Sequence, residues 1–188
     1  MQLPEIYVST DIETDGWTPG KNSMLSLGSA AFLADKTLLD TFTVNLETLP
    51  NAVQEPATLH WWNTQPVAFE ACRRDCQPPA TAMQKYQRWL KQLPGKIIFV
   101  AYPAAFDFNF VNYYLQRFVG ENPFGFAVID IRSYVMGMQN LPYRKAGKNH
   151  YPAEWFDNLP HTHIALDDAL EQGSLFCNIL KANQQLSS

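Results

Sequence analysis

The sequence predicts one α/β domain, residues 1–188, built on a central mixed five-stranded sheet flanked by helices. Three observations lead there. The first third of the chain carries a strand followed by a strand-turn-strand pattern, which gives a sheet with an antiparallel part. The remainder alternates helical periodicity with short apolar runs, so the element order reads βββαβαβα. With 188 residues, 46% of them hydrophobic and 13% aromatic, the chain is long enough for one sizeable core and too short for two ordinary domains.

Taken in order, Ile6 to Gly16 reads as a strand running into a glycine turn, and Gly16 to Ser23 as a loop. Met24–Leu33 and Leu38–Leu46 are the next strands, with Ala34-Asp35-Lys36 between them as a hairpin turn. From Leu49 to Pro79 five prolines break the chain into short pieces, and Pro66 opens a short helix reaching about Arg73. Ala80–Leu93 repeats apolar residues at Met83, Tyr86, Leu90 and Leu93, a helical period stopped by Pro94-Gly95. Ile97–Ala101 is a short buried strand reached by a crossover. Pro103–Val119 is a helix with a heavy aromatic face, closed by Gly120. A strand over Phe126–Ile131 and a short helix over Ser133–Met138 follow. Asn140–Pro160 reads as a long loop of the kind used as lids or binding loops, and His163–Ala182 as an amphipathic helix.

Composition narrows the function classes. Fourteen Lys and Arg against eighteen Asp and Glu give a formal charge of −4, which argues against a broad phosphate-tracking surface. A short nucleic-acid strand held at one point remains compatible. Met1 to Glu5 shows no basic, apolar export signal, and no run approaches a membrane span, so a cytoplasmic protein without a membrane partner is expected. Cys72, Cys76 and Cys177 are read as reduced thiols that complete no zinc site.

The chemistry collects in carboxylates. On a strand, Asp11 and Glu13 point to one face about 7 Å apart at Cα, and Lys21 is the nearest basic residue downstream. Two such anions either sit solvated at the surface or share a cation. Asp107, Asp167 and Asp168 each occupy a first helical turn, where the positive helix end accepts an acid without any catalytic role. His163 is either a cap, a structural residue or a base. Their combination at the carboxyl ends of strands suits two hard divalent ions, which can stabilise the attacking and leaving oxygens of an in-line phosphoryl displacement.

Asp11-Ile12-Glu13-Thr14, Ala105-Phe106-Asp107 and His163-Ile164-Ala165-Leu166-Asp167-Asp168-Ala169 resemble, in order, the three motifs of the DEDDh (DnaQ-like) 3′–5′ exonucleases. The resemblance spans about Tyr7 to Phe176. It implies a ribonuclease H-like fold, one 3′–5′ exonuclease domain, and a hydrolase releasing nucleoside 5′-monophosphates from single-stranded or 3′-overhanging nucleic acid, RNA or DNA. It further implies two divalent metal ions, Mg²⁺ or Mn²⁺. Asp11 would bridge them, Glu13, Asp107 and Asp168 would hold them, and His163 would be the general base, with His161 the lesser candidate. Choosing Asp168 over Asp167 rests on the resemblance alone. The family's second motif often carries His-Asn before its Phe-Asp; this chain has Tyr102-Pro103-Ala104-Ala105, so the contacts around that carboxylate differ.

On the substrate side a single-stranded 3′ end needs stacking surfaces. Phe106 adjoins Asp107, and Trp61 and Trp62 lie where some relatives place terminal-nucleotide contacts. Adjacent tryptophans on a helix diverge, so at most one faces the site. Trp17 and Phe108 are further aromatic candidates. Leu27 either wedges against a terminal base or fills the core. Thr14 with Asp15-Gly16 offers backbone groups to the terminal sugar. Arg144, Lys145 and Lys148 either steer phosphates or form a solvated charge cluster. A homodimer is compatible with the aromatic content. The competing readings are a structure-selective endonuclease on the same fold and a nucleic-acid-binding module without turnover.

Overall fold

The computed structural model describes residues 3–186; Met1 and Gln2, which open the stretch read for an export signal, lie outside the described residues. Among the described residues five strands form one sheet: β1 (Glu5–Thr14), β2 (Met24–Phe32), β3 (Leu38–Asn45), β4 (Lys96–Ala101) and β5 (Val128–Asp130). Their order is β3-β2-β1-β4-β5, with β1 antiparallel to β2 and parallel to β4. The sheet is mixed, as the hairpin and crossover patterns predict. Six α-helices of the described residues surround it: α1 (Pro56–Trp62), α2 (Pro66–Cys72), α3 (Pro79–Gln92), α4 (Ala104–Phe118), α5 (Ile131–Met138) and α6 (Ala165–Leu186).

Both faces of the sheet are covered. On one, Ile6, Val8 and Phe99 pack against Met83, Tyr86 and Leu90 of α3 and Phe110, Val111 and Tyr114 of α4. On the other, Val100 meets Ile131 and Val135 of α5 and Leu175, Phe176 and Ile179 of α6. Burying a strand on both faces removes the hydrophobic-polar alternation, and β2 is buried at every position. Among the described residues no helix is long and apolar enough to cross a membrane.

Three local expectations are corrected. The strand expected from Phe126 starts only at Val128, because Phe126 is 95% exposed in a turn while Phe124 fills the core in its place. The irregular stretch after Leu49 contains α1 as well as α2, both opened by proline in the first turn. The long loop from Asn140 is ordered by three 3₁₀ turns and by Tyr151 and Trp155, which are buried against α5 and α6.

The approach of α6 to the sheet decides where the site forms. Gly28 of β2 lies opposite Asp11, and a Cβ there would fall 2.3 Å from the Ala165 carbonyl carbon. Only glycine lets the start of α6 lie that close. The buried Gln172 amide of α6 donates to the Thr10 carbonyl at 2.7 Å, tying the helix to β1 beside Asp11. The first turn of α6, with Asp168, is thereby set over the end of β1.

Candidate active site

Asp11, Glu13 and Asp168 each turn a carboxylate oxygen into one group within 4.8 Å of one another. Glu13 and Asp168 are buried and Asp11 is half-buried. Asp107, buried in the first turn of α4, adjoins them: one of its oxygens accepts the Ile12 amide at 3.3 Å, between the two β1 acids. The start of α4 is itself held by Asp130, which accepts the Ala104 amide at 2.9 Å and caps α5 through Ser133.

The electrostatics of this group are unfavourable in the absence of a cation. Burial raises the Asp11 carboxyl well above its ordinary range, and the charges of Asp107, Glu13 and Asp168 raise it further; Lys148 opposes them. Burial, then Asp168 and Asp107, push Glu13 up to about 9. Asp107 is pushed up to about 8, chiefly by burial, against the lowering effect of the Ile12 hydrogen bond. Every donor here is a carboxylate oxygen, the chemistry that hard divalent cations prefer. The residues fit such an ion.

Asp168 and its neighbour separate cleanly. Asp168 is 3% exposed, accepts the Thr162 amide at 2.9 Å, and lies 3.2 Å from His161 Nδ1. Asp167 turns away and accepts the Thr162 hydroxyl at 2.8 Å, which makes it part of the local turn before α6. The helix expected from His163 begins at Ala165, and His163 sits just ahead of it with φ of 57°. Its ring packs edge-on against Trp61 at 5.0 Å and against His161 at 4.7 Å. Partial burial and His161 lower the His163 pKa, outweighing the opposing pull of Asp168. His161, His163 and Asp168 thus crowd one edge of the carboxylate group.

A cleft of about 330 Å³ opens beside Glu13, lined by Ile12, Thr14, Gly16, Trp17, Trp61 and Phe106 among others. Trp61 and Trp17 are exposed in it. Trp62 is not: it is 2% exposed, packs with Leu25, Ala68 and Cys72, and donates its indole N–H to the Thr14 carbonyl at 2.9 Å. It supports Thr14 from behind and offers no face to a ligand, which corrects its candidacy for substrate contact. Leu27 is corrected likewise. It is fully buried among Ile12, Met24 and the α3–α4 side chains, and reaching a terminal base would require opening that core. Phe108 packs edge-on against Phe99 and is absent from the lining of this cleft. Thr14 is held by its own hydroxyl bond to the Gly16 carbonyl at 2.7 Å, shaping the turn at the cleft floor.

A second cleft, about 310 Å³, lies on the Asp11 side and is lined by Tyr102, Lys148, His161, Asp168, Glu171 and Gln172. Of the three basic residues in the 140–160 loop, only Lys148 lines it; Arg144 and Lys145 are exposed. Sequence reasoning missed Gly28, Glu171 and Gln172. A glycine inside a strand is a signal of close backbone approach, and Glu171 and Gln172 follow Asp168 at helical spacings of three and four.

Comparison with known proteins bears on the family and the fold. The family model described as the 3′–5′ exoribonuclease Rv2179c-like domain matches residues 7–180. The 3′–5′ DNA exonuclease Cap18 of Escherichia coli is 29% identical over 186 residues, covering 96% of this chain and 95% of that protein. Among solved structures, the nuclease domain of 3′hExo, a DEDDh family member bound to rAMP, superposes with a TM-score of 0.67 at 14% identity, covering 96% of this chain and 92% of its own. The zinc-bound E. coli ExoI–ssDNA complex gives a TM-score of 0.69 at 14% identity, covering all of this chain and 42% of that one. The chain belongs to the family of the 3′–5′ exoribonuclease Rv2179c-like domain, is a 3′–5′ exonuclease, and shares its fold with the DEDDh nuclease domain of 3′hExo.

Proposed function

We propose that the chain removes nucleoside 5′-monophosphates stepwise from the 3′ end of single-stranded RNA or DNA, with two divalent ions held by Asp11, Glu13, Asp107 and Asp168 and with His163 as general base. The observation that carries this reading is the convergence of Asp11, Glu13 and Asp168 within 4.8 Å, with Asp107 hydrogen-bonded to the peptide between the first two. A pocket so charged and so buried has a physical use for cations and little other reason to persist. Bound there, Mg²⁺ or Mn²⁺ supplies charge neutralisation at the scissile phosphate and acidifies the attacking water.

The chain's own groups do the rest. The exposed Trp61 and Trp17 with the half-buried Phe106 offer the terminal base an aromatic cleft that opens directly beside Glu13. His163 stands at the edge of the carboxylate group, and its lowered pKa keeps the imidazole neutral and able to accept a proton at neutral pH. Its edge-on contact with Trp61 couples the base to the nucleotide cleft. The family description names an exoribonuclease and the E. coli relative a DNA exonuclease, which supports either sugar in the substrate.

The test is incubation of the pure protein with matched RNA and DNA oligomers carrying a 3′-terminal label, in Mn²⁺ and in EDTA. The label should leave as mononucleotide with Mn²⁺ and stay in EDTA, and the two rates rank the sugars. Internal fragments as first products would indicate an endonuclease. Equal hydrolysis in EDTA would remove the metals from the reading.

Trp61→Ala should raise KM by about tenfold or more, since stacking on an aromatic contributes about 1–3 kcal/mol per base. Steady-state kinetics on a short oligomer reads this directly. A KM within about twofold of the parent's would exclude Trp61 from the substrate's path.

A further inference from the structure

We infer that the second cleft, where Lys148 stands beside Asp11 and Asp168, is the subsite for the phosphate on the 5′ side of the scissile bond, and that Lys148 passes from Glu171 to that phosphate when a strand binds. This rests on the exonuclease reading above and adds to it the path of the remaining strand.

The geometry argues it in three steps. First, the two clefts meet at the carboxylates: Glu13 lines the aromatic cleft and Asp11 the second one, two residues apart on β1. A strand whose 3′-terminal base lies against Trp61 has its scissile phosphate over the carboxylates, so its next phosphate leaves past Asp11. Second, the second cleft presents one ammonium group, Lys148, among the anions Asp11, Asp168 and Glu171. A cation is what a phosphate approaching three carboxylates needs.

Third, the lysine is anchored at its root, and its tip is held by an ion pair that a phosphate can replace. The Lys148 amide donates to the Tyr102 hydroxyl at 3.1 Å, and its Nζ lies 5.3 Å from the centre of the Tyr102 ring. Tyr151 fixes the same loop by donating its hydroxyl to the Ala146 carbonyl at 3.0 Å. The ammonium meets Glu171 Oε2 at 2.7 Å in a pair whose side chains are 27% and 12% exposed. Exchanging that carboxylate for a phosphate oxygen trades one charge-assisted hydrogen bond for another, so the handover costs little. Tyr102 stands just ahead of the Asp107 segment, where the chain departs from the family's usual His-Asn pair.

The experiment compares a dinucleoside monophosphate, whose only phosphate is the scissile one, with the matching trinucleoside diphosphate, which has one more on the 5′ side. Lys148→Ala should raise KM for the trinucleotide about tenfold more than for the dinucleotide, the usual scale for losing one charged hydrogen bond. Lys148→Arg should recover most of the loss. Glu171→Gln, which frees the lysine, should lower KM for the trinucleotide, a gain that damage to the fold would not produce. The slope of log affinity against log salt for the trinucleotide should become shallower by about 0.7 in Lys148→Ala. Equal losses on both substrates, or a loss confined to kcat, would overturn the proposal.

Binding is also measured by fluorescence anisotropy with Ca²⁺ replacing Mn²⁺, so the outcome does not depend on turnover. Trinucleotide affinity that is the same for the parent and Lys148→Ala rejects the subsite. Absence of mononucleotide release by the parent protein from either substrate would instead reject the exonuclease reading, whatever the binding shows.

Discussion

Asp11→Asn is expected to lower exonuclease turnover by at least about 10³-fold, because it removes a charge from the centre of the group that, on the proposed reading, would hold the phosphate-activating ions. The same change should raise the melting temperature of the protein in EDTA. Asp11 is the carboxylate whose ionisation is opposed by all three of the others, Asp107, Glu13 and Asp168, in addition to burial. An amide of the same shape ends that repulsion while keeping the strand and its pairing with β2. Loss of activity with gain of stability is the signature of a site built for function against the interest of the fold. Asp168→Asn should behave alike in activity, whereas Asp167→Asn should remain within a few-fold of the parent protein, since Asp167 accepts the Thr162 hydroxyl and lies outside the Asp11–Glu13–Asp168 group. Kinetics and calorimetry on the three variants check this. An Asp11→Asn protein retaining a tenth of the parent rate would show that Asp11 does not hold a shared ion.

Several of these roles are legible in the sequence and others depend on packing. Asp11 and Glu13 announce themselves because a strand places alternate residues on one side, and the spacing needs no tertiary knowledge. Asp107 and Asp168 are visible as first-turn acids but not as partners, since the contact between α6 and β1 is long-range. What sets Asp168 over β1 is Gly28 and Gln172, residues whose types carry little chemistry of their own, while Asp130 holds the start of α4 and with it Asp107. The choice between Trp61 and Trp62 is undetermined by a period that simply turns adjacent residues apart; Trp62 goes inward because Leu25 and Ala68 meet it there. Leu27 is core because β2 is covered on both faces, a fact set by helices far along the chain. Lys148 looks like one of three loop cations until Tyr102 and Glu171 single it out.

In the absence of metal, the protein should lose stability as pH rises from about 5 to 8, and Mn²⁺ should cancel or reverse the loss. Glu13 moves from an ordinary 4.5 in the unfolded chain to about 9 in the fold, and Asp107 from 3.8 to about 8. Between those limits the folded state keeps protons that the unfolded state has released. Stability is therefore fully present below the unfolded values and declines as pH climbs toward the folded ones. Each such group changes stability by at most about 1.4 kcal/mol per pH unit, and mutual coupling makes the two together less than additive. At roughly 2–4 °C per kcal/mol for a chain of this size, the melting temperature in EDTA should drop by at least about 5 °C across the window. Metal requires the deprotonated carboxylates, so its stabilisation grows over the same range in which the free protein weakens. Differential scanning calorimetry in EDTA and in Mn²⁺ at pH 5, 6, 7 and 8 gives the two curves. A melting temperature in EDTA that rises across this window would mean that the carboxylates ionise freely in the fold, and the case for cations between them would lose its physical basis.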